Sequence, residues 1–213
     1  AMASETVKET TGTLFVVATP LGNLDDLTFR AVKCLKEVDL IACEDTRRTA
    51  KLLNHLGINK PMVSCHKHNE HERLTTLEKV ASDNQCAALV SDAGMPLISD
   101  PGSPLIERAI ELGMQVVPIA GPSAFVLALV ASGLPLDAFV FEGFLPDPGA
   151  ALKLKLAELA GEKRTMVFYV SPHKIERTLS QMLEQLGKRK VCLGRELTKF
   201  HEEFIRGDLE TLA

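Results

Sequence analysis

Short apolar runs alternate with segments of helical periodicity through the first half of the chain, and this alternation restricts the possible folds. Each run has the length of a buried strand and ends in polar residues, glycine or proline. The predicted strands are residues 14–18, 40–43, 61–65, 86–90 and 116–119. Five successive strand–helix units are typical of a doubly wound, mostly parallel five-stranded α/β sheet, which we predict for the N-terminal domain.

The pattern changes after Pro135. The predicted strands here are residues 139–141, 165–170, 191–193 and 203–206, and the predicted helices are residues 152–159 and 175–186. Because few residues separate the last two strands, we expect an antiparallel pair and therefore a mixed-sheet α/β domain. The predicted domains are residues 12–121 and 122–213. Residues 1–11 are polar and begin Ala-Met-Ala, so we expect them to be disordered or left over from cloning.

The composition is that of a soluble globular protein, with 46% hydrophobic and 24% charged residues. The longest apolar run falls short of the roughly 20 residues that a membrane span needs. Five cysteines, with no Cys-x-x-Cys motif, indicate the reducing cytoplasm. A formal charge of −4 gives no overall attraction to nucleic acid, so RNA binding would need a local basic patch.

Polar or Gly/Pro-rich turns follow all five predicted strands, and in a doubly wound sheet such turns lie along one edge, where ligands bind. The turn at residues 91–102 has the most backbone control, from Gly94, Gly102, Pro96 and Pro101. On its own it fits a ligand loop and a rigid crossover equally well. The sequence contains neither a P-loop nor Gly-x-Gly-x-x-Gly, which argues against nucleotide hydrolysis and ordinary dinucleotide binding.

The second predicted strand runs into Glu44-Asp45-Thr46-Arg47-Arg48. One interpretation is functional: a carboxylate accepts a proton while the arginines hold a phosphate. The other is a capped helix start with solvated arginines.

Three further features have functional and structural interpretations. Residues 65–71 contain three histidines and a cysteine, but a polar loop explains them as well as a metal does, and we predict no metal site. Ser123 could offer a hydroxyl and free backbone amides to a ligand, or simply cap a helix. His173 follows a strand and is either a catalytic group or a hydrogen-bonded loop residue.

Seven segments carry a family resemblance. They are Thr19-Pro20-Leu21-Gly22-Asn23-Leu24, Glu44-Asp45-Thr46-Arg47, residues 91–102, Gly121-Pro122-Ser123-Ala124, residues 141–146, Ser171-Pro172-His173 and residues 195–199. In this order they resemble the ribosomal RNA small-subunit methyltransferase I family, within the tetrapyrrole methylase superfamily. The resemblance extends from about Gly12 to the last residue.

The resemblance implies an S-adenosylmethionine-dependent enzyme that methylates the 2′-hydroxyl of a cytidine ribose in small-subunit ribosomal RNA. It also implies two α/β domains and a homodimer. The candidate bases are Glu44, Asp45 and His173, and the candidate RNA-binding residues are Arg47 and Arg48. By position, the cofactor contacts would be Pro20, Asp92, Gly94, Met95, Pro96, Ile98, Ser123 and Ala124.

The sequence departs from the family pattern at three places. Met95 stands where the family usually has threonine, and residues 147–151 are acidic to neutral where it is usually basic. We also expect the chain to lack the family's final strand and extension. Two other functions stay open: methylation of a tetrapyrrole or another small acceptor by the same fold, and cofactor binding without catalysis.

Overall fold

The structure is a computed structural model that describes residues 11–213. The chain divides into two compact units, the first ending at Pro122 and the second running from Ser123 to Ala213. Within the described part of the chain, no helix is long and apolar enough to cross a membrane. The expectation for the N-terminal segment concerns residues that, apart from Thr11, lie outside the described part.

Strands and helices alternate in the first unit, as predicted. The strands are β1 (Thr13–Val17), β2 (Leu40–Cys43), β3 (Met62–Ser64), β4 (Cys86–Val90) and β5 (Gln115–Ile119). The helices are α1 (Phe29–Glu37), α2 (Thr46–His55), α3 (Glu70–Ser82) and α4 (Ser103–Glu111). The observed bounds of β2 and β4 are the predicted ones, and the other strands differ by one residue at one or both ends.

The five strands form one parallel sheet in the order β3-β2-β4-β1-β5. Side chains of β4 point alternately to its two faces. Ala88 and Val90 pack in one cluster with residues of α1 and α2, whereas Ala87 and Leu89 pack with residues of α3 and α4. Helices therefore cover both faces, which confirms the doubly wound sheet.

The second unit contains five further helices and strands of ordinary length and a final helical turn, counted over residues 123–213. They are α5 (Ala124–Ser132), β6 (Phe139–Phe144), α6 (Ala150–Leu159), β7 (Thr165–Tyr169), α7 (Ile175–Leu186), β8 (Lys190–Arg195), β9 (Glu203–Asp208) and α8 (Leu209–Leu212). β6 pairs with β7 in parallel, and β8 pairs with β9 antiparallel. The predicted combination of pairings is confirmed, and it is distributed over two two-stranded ladders.

A separate apolar core holds the second unit together. Leu152 and Leu156 on α6 are fully buried, and they pack with Leu179 and Met182 of α7 and with Leu209. The spacing of these side chains by three or four residues places each pair on one helix face. The register of β6 shifts between Phe141 and Gly143.

Candidate active site at the carboxyl ends of the strands

Backbone hydrogen bonds join the loops that follow β1 and β4. The N–H of Thr19 donates to the carbonyl of Gly94 at 3.0 Å, and the N–H of Gly94 donates back to the carbonyl of Thr19 at 2.9 Å. The Thr19 hydroxyl also donates to the carbonyl of Ser91 at 3.3 Å. β1 and β4 are neighbours in the sheet, so their following turns meet at one edge as the sequence predicts.

The loop after β2 is connected to the same place. The backbone N–H of Asp45 donates to Oδ1 of Asp92 at 3.1 Å. The turns of three adjacent strands thus form one hydrogen-bonded assembly within the first unit.

The loop after β4 requires glycine at two positions. Gly94 has φ +75°, and a Cβ there would lie 2.8 Å from Cδ2 of Leu21. Gly102 has φ +121°, and a Cβ there would lie 2.9 Å from Cδ2 of Leu89. Leu97 and Ser99 also have positive φ, at 78° and 63°, although they carry side chains. Such backbone strain clusters at ligand-binding sites, which favours the ligand-loop interpretation.

The predicted cofactor contacts in this loop differ in exposure. Gly94 and Pro96 are buried, so their part is to shape the backbone. Asp92 and Met95 are half-buried, and Ile98 is 42% exposed. Side chains that can meet a ligand therefore alternate with residues that set the turn.

Three carboxylates near this loop interact with one another. Burial raises the pKa of Glu44, and the negative charges of Asp92 and Asp100 raise it further. Burial and the charge of Asp92 likewise raise the pKa of Asp100. A carboxylate with a raised pKa is a stronger base once it is ionised, which suits Glu44 to proton abstraction.

Asp45 has a different environment from its neighbour Glu44. It is the N-cap of α2, where Oδ1 accepts the backbone N–H of Arg47 at 2.9 Å and its Nε at 3.3 Å. The hydrogen bond from the Arg47 side chain lowers the pKa of Asp45. Asp45 therefore fits the capped-helix interpretation better than the role of base.

A cavity of about 420 Å³ lies within the first unit, between α2 and the loops after β1 and β4. It contains the predicted residues Pro20, Asp92 and Arg48, and Nη1 of Arg48 lies 3.9 Å from Oδ2 of Asp92. Its lining residues are Thr19, Pro20, Gly22, Leu24, Arg48, Thr49, Lys51, Leu52, His55, Ser91 and Asp92. The sequence analysis did not select Lys51 or His55. Their helical spacing from Arg48 is the signal that could have found them.

The remaining predicted residues lie in the second unit. Ser123 is the N-cap of α5, but its side chain makes no capping hydrogen bond, so simple capping does not explain it. Ala124 is half-buried beside it, and the N–H of Phe125 donates to the hydroxyl of Tyr169 at 3.2 Å. His173 is exposed, in a 3-10 turn spanning Pro172–Lys174.

Asn69 organises the histidine-rich loop that follows β3. Its Oδ1 accepts the backbone N–H of His66 at 2.8 Å, and its Nδ2 donates to the carbonyl of Ser64 at 3.1 Å. Across residues 11–213, no group of three or more His, Cys, Asp and Glu side chains is arranged to hold a metal ion. The contacts of this segment are those of a structured polar loop.

Comparison with known proteins places this site in a family. A family model described as tetrapyrrole (corrin/porphyrin) methylases matches residues 13–213. Ribosomal RNA small subunit methyltransferase I of Halalkalibacterium halodurans is 51% identical over 199 residues, which are 93% of this chain and 69% of the relative. Its counterpart in Thermotoga maritima is 46% identical over 196 residues, 92% of this chain and 88% of the relative. The chain belongs to the ribosomal RNA small subunit methyltransferase I family.

A solved structure supports the fold assignment of this methyltransferase. Uroporphyrin-III-C-methyltransferase from Thermus thermophilus superposes with a TM-score of 0.63, covering 94% of this chain and 87% of the other. At 18% sequence identity, the likeness concerns the fold alone. Family membership confirms the resemblance and the enzyme class, and the solved structure confirms the fold.

Proposed function

We propose that this methyltransferase transfers the methyl group of S-adenosylmethionine to the 2′-hydroxyl of a cytidine ribose in small-subunit ribosomal RNA. The names of relatives at 46% and 51% identity support the RNA substrate. The observation that carries the chemistry is the hydrogen-bonded assembly of post-strand loops. It holds Glu44, a carboxylate of raised pKa, beside the loop after β4.

The loop after β4 fits the chemistry of the cofactor. S-adenosylmethionine carries cationic groups and a planar base, and it supplies an electrophilic methyl group when bound. Asp92 can attract a cationic group, since Oδ2 has only a distant partner in Arg48 at 3.9 Å. Ile98, 42% exposed, offers apolar surface to the base. We assign cofactor contacts to Pro20, Asp92, Gly94, Met95, Pro96, Ile98, Ser123 and Ala124.

The protein's own contribution is positioning and proton transfer. A held 2′-oxygen reacts faster because the orientation is fixed before the reaction. Glu44 is our first candidate to accept the hydroxyl proton, ahead of His173, which is exposed, and Asp45, which is engaged with Arg47. Arg47 and Arg48 stay candidates for binding phosphate groups of the RNA.

The resemblance also leads us to propose a homodimer that works in the cytoplasm. All five cysteines are free, and four of them have pKa values raised by burial, which keeps those thiols protonated. Light scattering of the purified protein tests the oligomeric state.

Transfer of labelled methyl groups from S-adenosylmethionine to unmodified small ribosomal subunits tests the function. We expect label on a cytidine ribose after nuclease digestion, as a dinucleotide that resists alkaline hydrolysis. Label on a base would refute ribose methylation. Transfer to a tetrapyrrole or another small acceptor instead of RNA would support the second function. Cofactor binding without any transfer would support the third.

A further inference from the structure

Helix α2 presents a row of basic side chains to the cavity of the first unit. Arg48, Lys51 and His55 follow one another at intervals of three and four residues and all line it. This spacing places them on one face of the helix. From Arg48 to His55 the row covers roughly 10 Å along the helix axis, since each residue advances about 1.5 Å.

The charge of this surface is largely uncompensated. Asp92 is the one carboxylate among the described residues that line the cavity, and it lies 3.9 Å from Arg48. The Arg48 side chain is 68% exposed, so this ion pair is weak and leaves donors free. Within residues 11–213, the ion pairs found include neither Lys51 nor His55.

Arg47, the neighbouring arginine, is engaged elsewhere. Its Nε and Nη2 donate to the two carboxylate oxygens of Asp45 at 3.3 and 3.4 Å, and it does not line the cavity. The cavity face of α2 therefore consists of residues 48, 51 and 55.

We propose that Arg48, Lys51 and His55 bind the phosphate backbone of the RNA acceptor, with one nucleotide of the strand occupying the cavity. This inference rests on the proposed function and deepens it by assigning an RNA subsite. The volume of about 420 Å³ is in the range of small-ligand sites, about 300–1,000 Å³, and so is sufficient for one nucleotide.

The length of the basic row selects a polyanion over a single anion. The carboxylate of S-adenosylmethionine could contact only part of a row that covers roughly 10 Å. Successive phosphates of an RNA strand can contact all of it. Phosphate contacts position a strand without reading its sequence, which suits a surface of Arg, Lys and His beside a reaction centre.

The test compares Lys51→Ala, His55→Ala and the double variant with Lys79→Ala. Lys79 is an exposed lysine of α3, whose buried residues pack on the opposite face of the sheet from those of α2. Three quantities are measured: affinity for a small-subunit RNA fragment at several salt concentrations, the KM and kcat for unmodified subunits, and the Kd for S-adenosylmethionine.

We expect each cavity variant to weaken RNA binding about tenfold, as for the loss of a charged hydrogen bond. The slope of log affinity against log salt should fall by about 0.7 for each lost phosphate contact. KM should rise with RNA affinity, while kcat, the Kd for S-adenosylmethionine and all properties of Lys79→Ala stay unchanged. Lys51→Arg, which keeps the charge, should retain most of the binding.

Two results would overturn the subsite without touching the proposed function. One is a wild-type protein that methylates RNA together with cavity variants that bind RNA as tightly as Lys79→Ala. The other is variants that lose affinity for S-adenosylmethionine and keep it for RNA. A wild-type protein that neither binds nor methylates small-subunit RNA would overturn both the proposed function and the subsite.

Discussion

The backbone N–H of Asp45 donates to Oδ1 of Asp92 at 3.1 Å, which ties the start of α2 to the loop after β4. The second oxygen of Asp92 faces Arg48 at 3.9 Å. The charge of Asp92 also raises the pKa values of Glu44 and Asp100. One carboxylate therefore links the candidate base, the candidate RNA-binding helix and the candidate cofactor loop.

Substitution of Asp92 should separate its structural role from its charge. Asp92→Asn keeps an acceptor for the Asp45 N–H, so we expect the free energy of unfolding to change by less than about 0.5 kcal/mol. Asp92→Ala leaves that N–H without its partner and should lose about 1 kcal/mol. Both variants should bind S-adenosylmethionine more weakly. Urea unfolding and calorimetric titration measure the two effects, and equal stability of both variants would contradict the structural role.

Glu44→Gln should abolish most methyl transfer. Loss of a general base typically lowers kcat by about 10²–10⁴-fold, whereas the Kd for S-adenosylmethionine should change little. Asp45→Asn should retain more activity, since asparagine is an equally good N-cap. Single-turnover rates of Glu44→Gln, Asp45→Asn and His173→Ala decide the assignment. A larger loss in His173→Ala than in Glu44→Gln would transfer the role of base to His173.

Stability should depend on pH through Asp100. Burial and the charge of Asp92 raise its folded-state pKa above the ordinary value of 3.8, so the folded protein binds this proton more tightly than the unfolded chain. Its stabilising contribution is complete below pH 3.8 and is lost as the pH rises through the raised pKa.

Asp100→Asn removes this titration. Relative to the wild type, the variant should become more stable as the pH rises through the same interval, and the difference should then level off. Thermal unfolding from pH 3 to pH 8 measures it. Glu107→Gln, which removes an exposed carboxylate of α4, is the control and should show a smaller change. A stability difference that is constant with pH would contradict the raised pKa.

Gly94→Ala should destabilise the protein by more than left-handed backbone strain alone. Gly57 also has a positive φ, +66°, but has nothing within 4 Å of an added Cβ, so Gly57→Ala measures the strain by itself, about 1–2 kcal/mol. At Gly94 the added Cβ would also meet Leu21 at 2.8 Å. We expect a larger loss in urea unfolding and weaker cofactor binding. Equal losses in the two variants would mean that Leu21 moves aside freely.

In the second unit, Tyr169→Phe should lose about 1 kcal/mol of stability. The variant keeps the ring contacts with Phe141 and Phe144 but removes the acceptor of the Phe125 N–H, which no carbonyl within α5 can replace. Ser180→Ala removes an exposed hydroxyl bonded to the Glu176 carbonyl of its own helix, and should change stability little. Thermal unfolding compares the two, and a similar change in both would contradict a capping role for Tyr169.

The sequence predicts the sheet well because its strands are buried on both faces. β2 and β4 consist of uninterrupted apolar residues, so their bounds are visible in the sequence. The ends of β1, β3 and β5 are less certain, since there the ladder stops because of pairing with neighbours. The two separate ladders of the second unit also depend on pairing between distant segments, which periodicity does not contain.

The candidate site was predictable only in part. Parallel strands bring their following turns to one edge, so the meeting of Thr19, Asp45 and Asp92 follows from the fold class. The unequal electrostatics of Glu44 and Asp45 do not, because the raised pKa of Glu44 depends on burial and on carboxylates distant in sequence. Lys51 and His55 stand out only once the loop after β1 completes a cavity around them.

The reciprocal hydrogen bonds between Thr19 and Gly94 have a consequence for motion. They attach the first part of the loop after β4 to the central strands, so those amide hydrogens should exchange with solvent only when the middle of the sheet opens. Amides at Leu97 and Ser99, further along the loop, lack that attachment and should exchange sooner. A ligand that binds this loop would meet a fixed inner half and adapt the outer half, and would thereby slow exchange across the whole first unit.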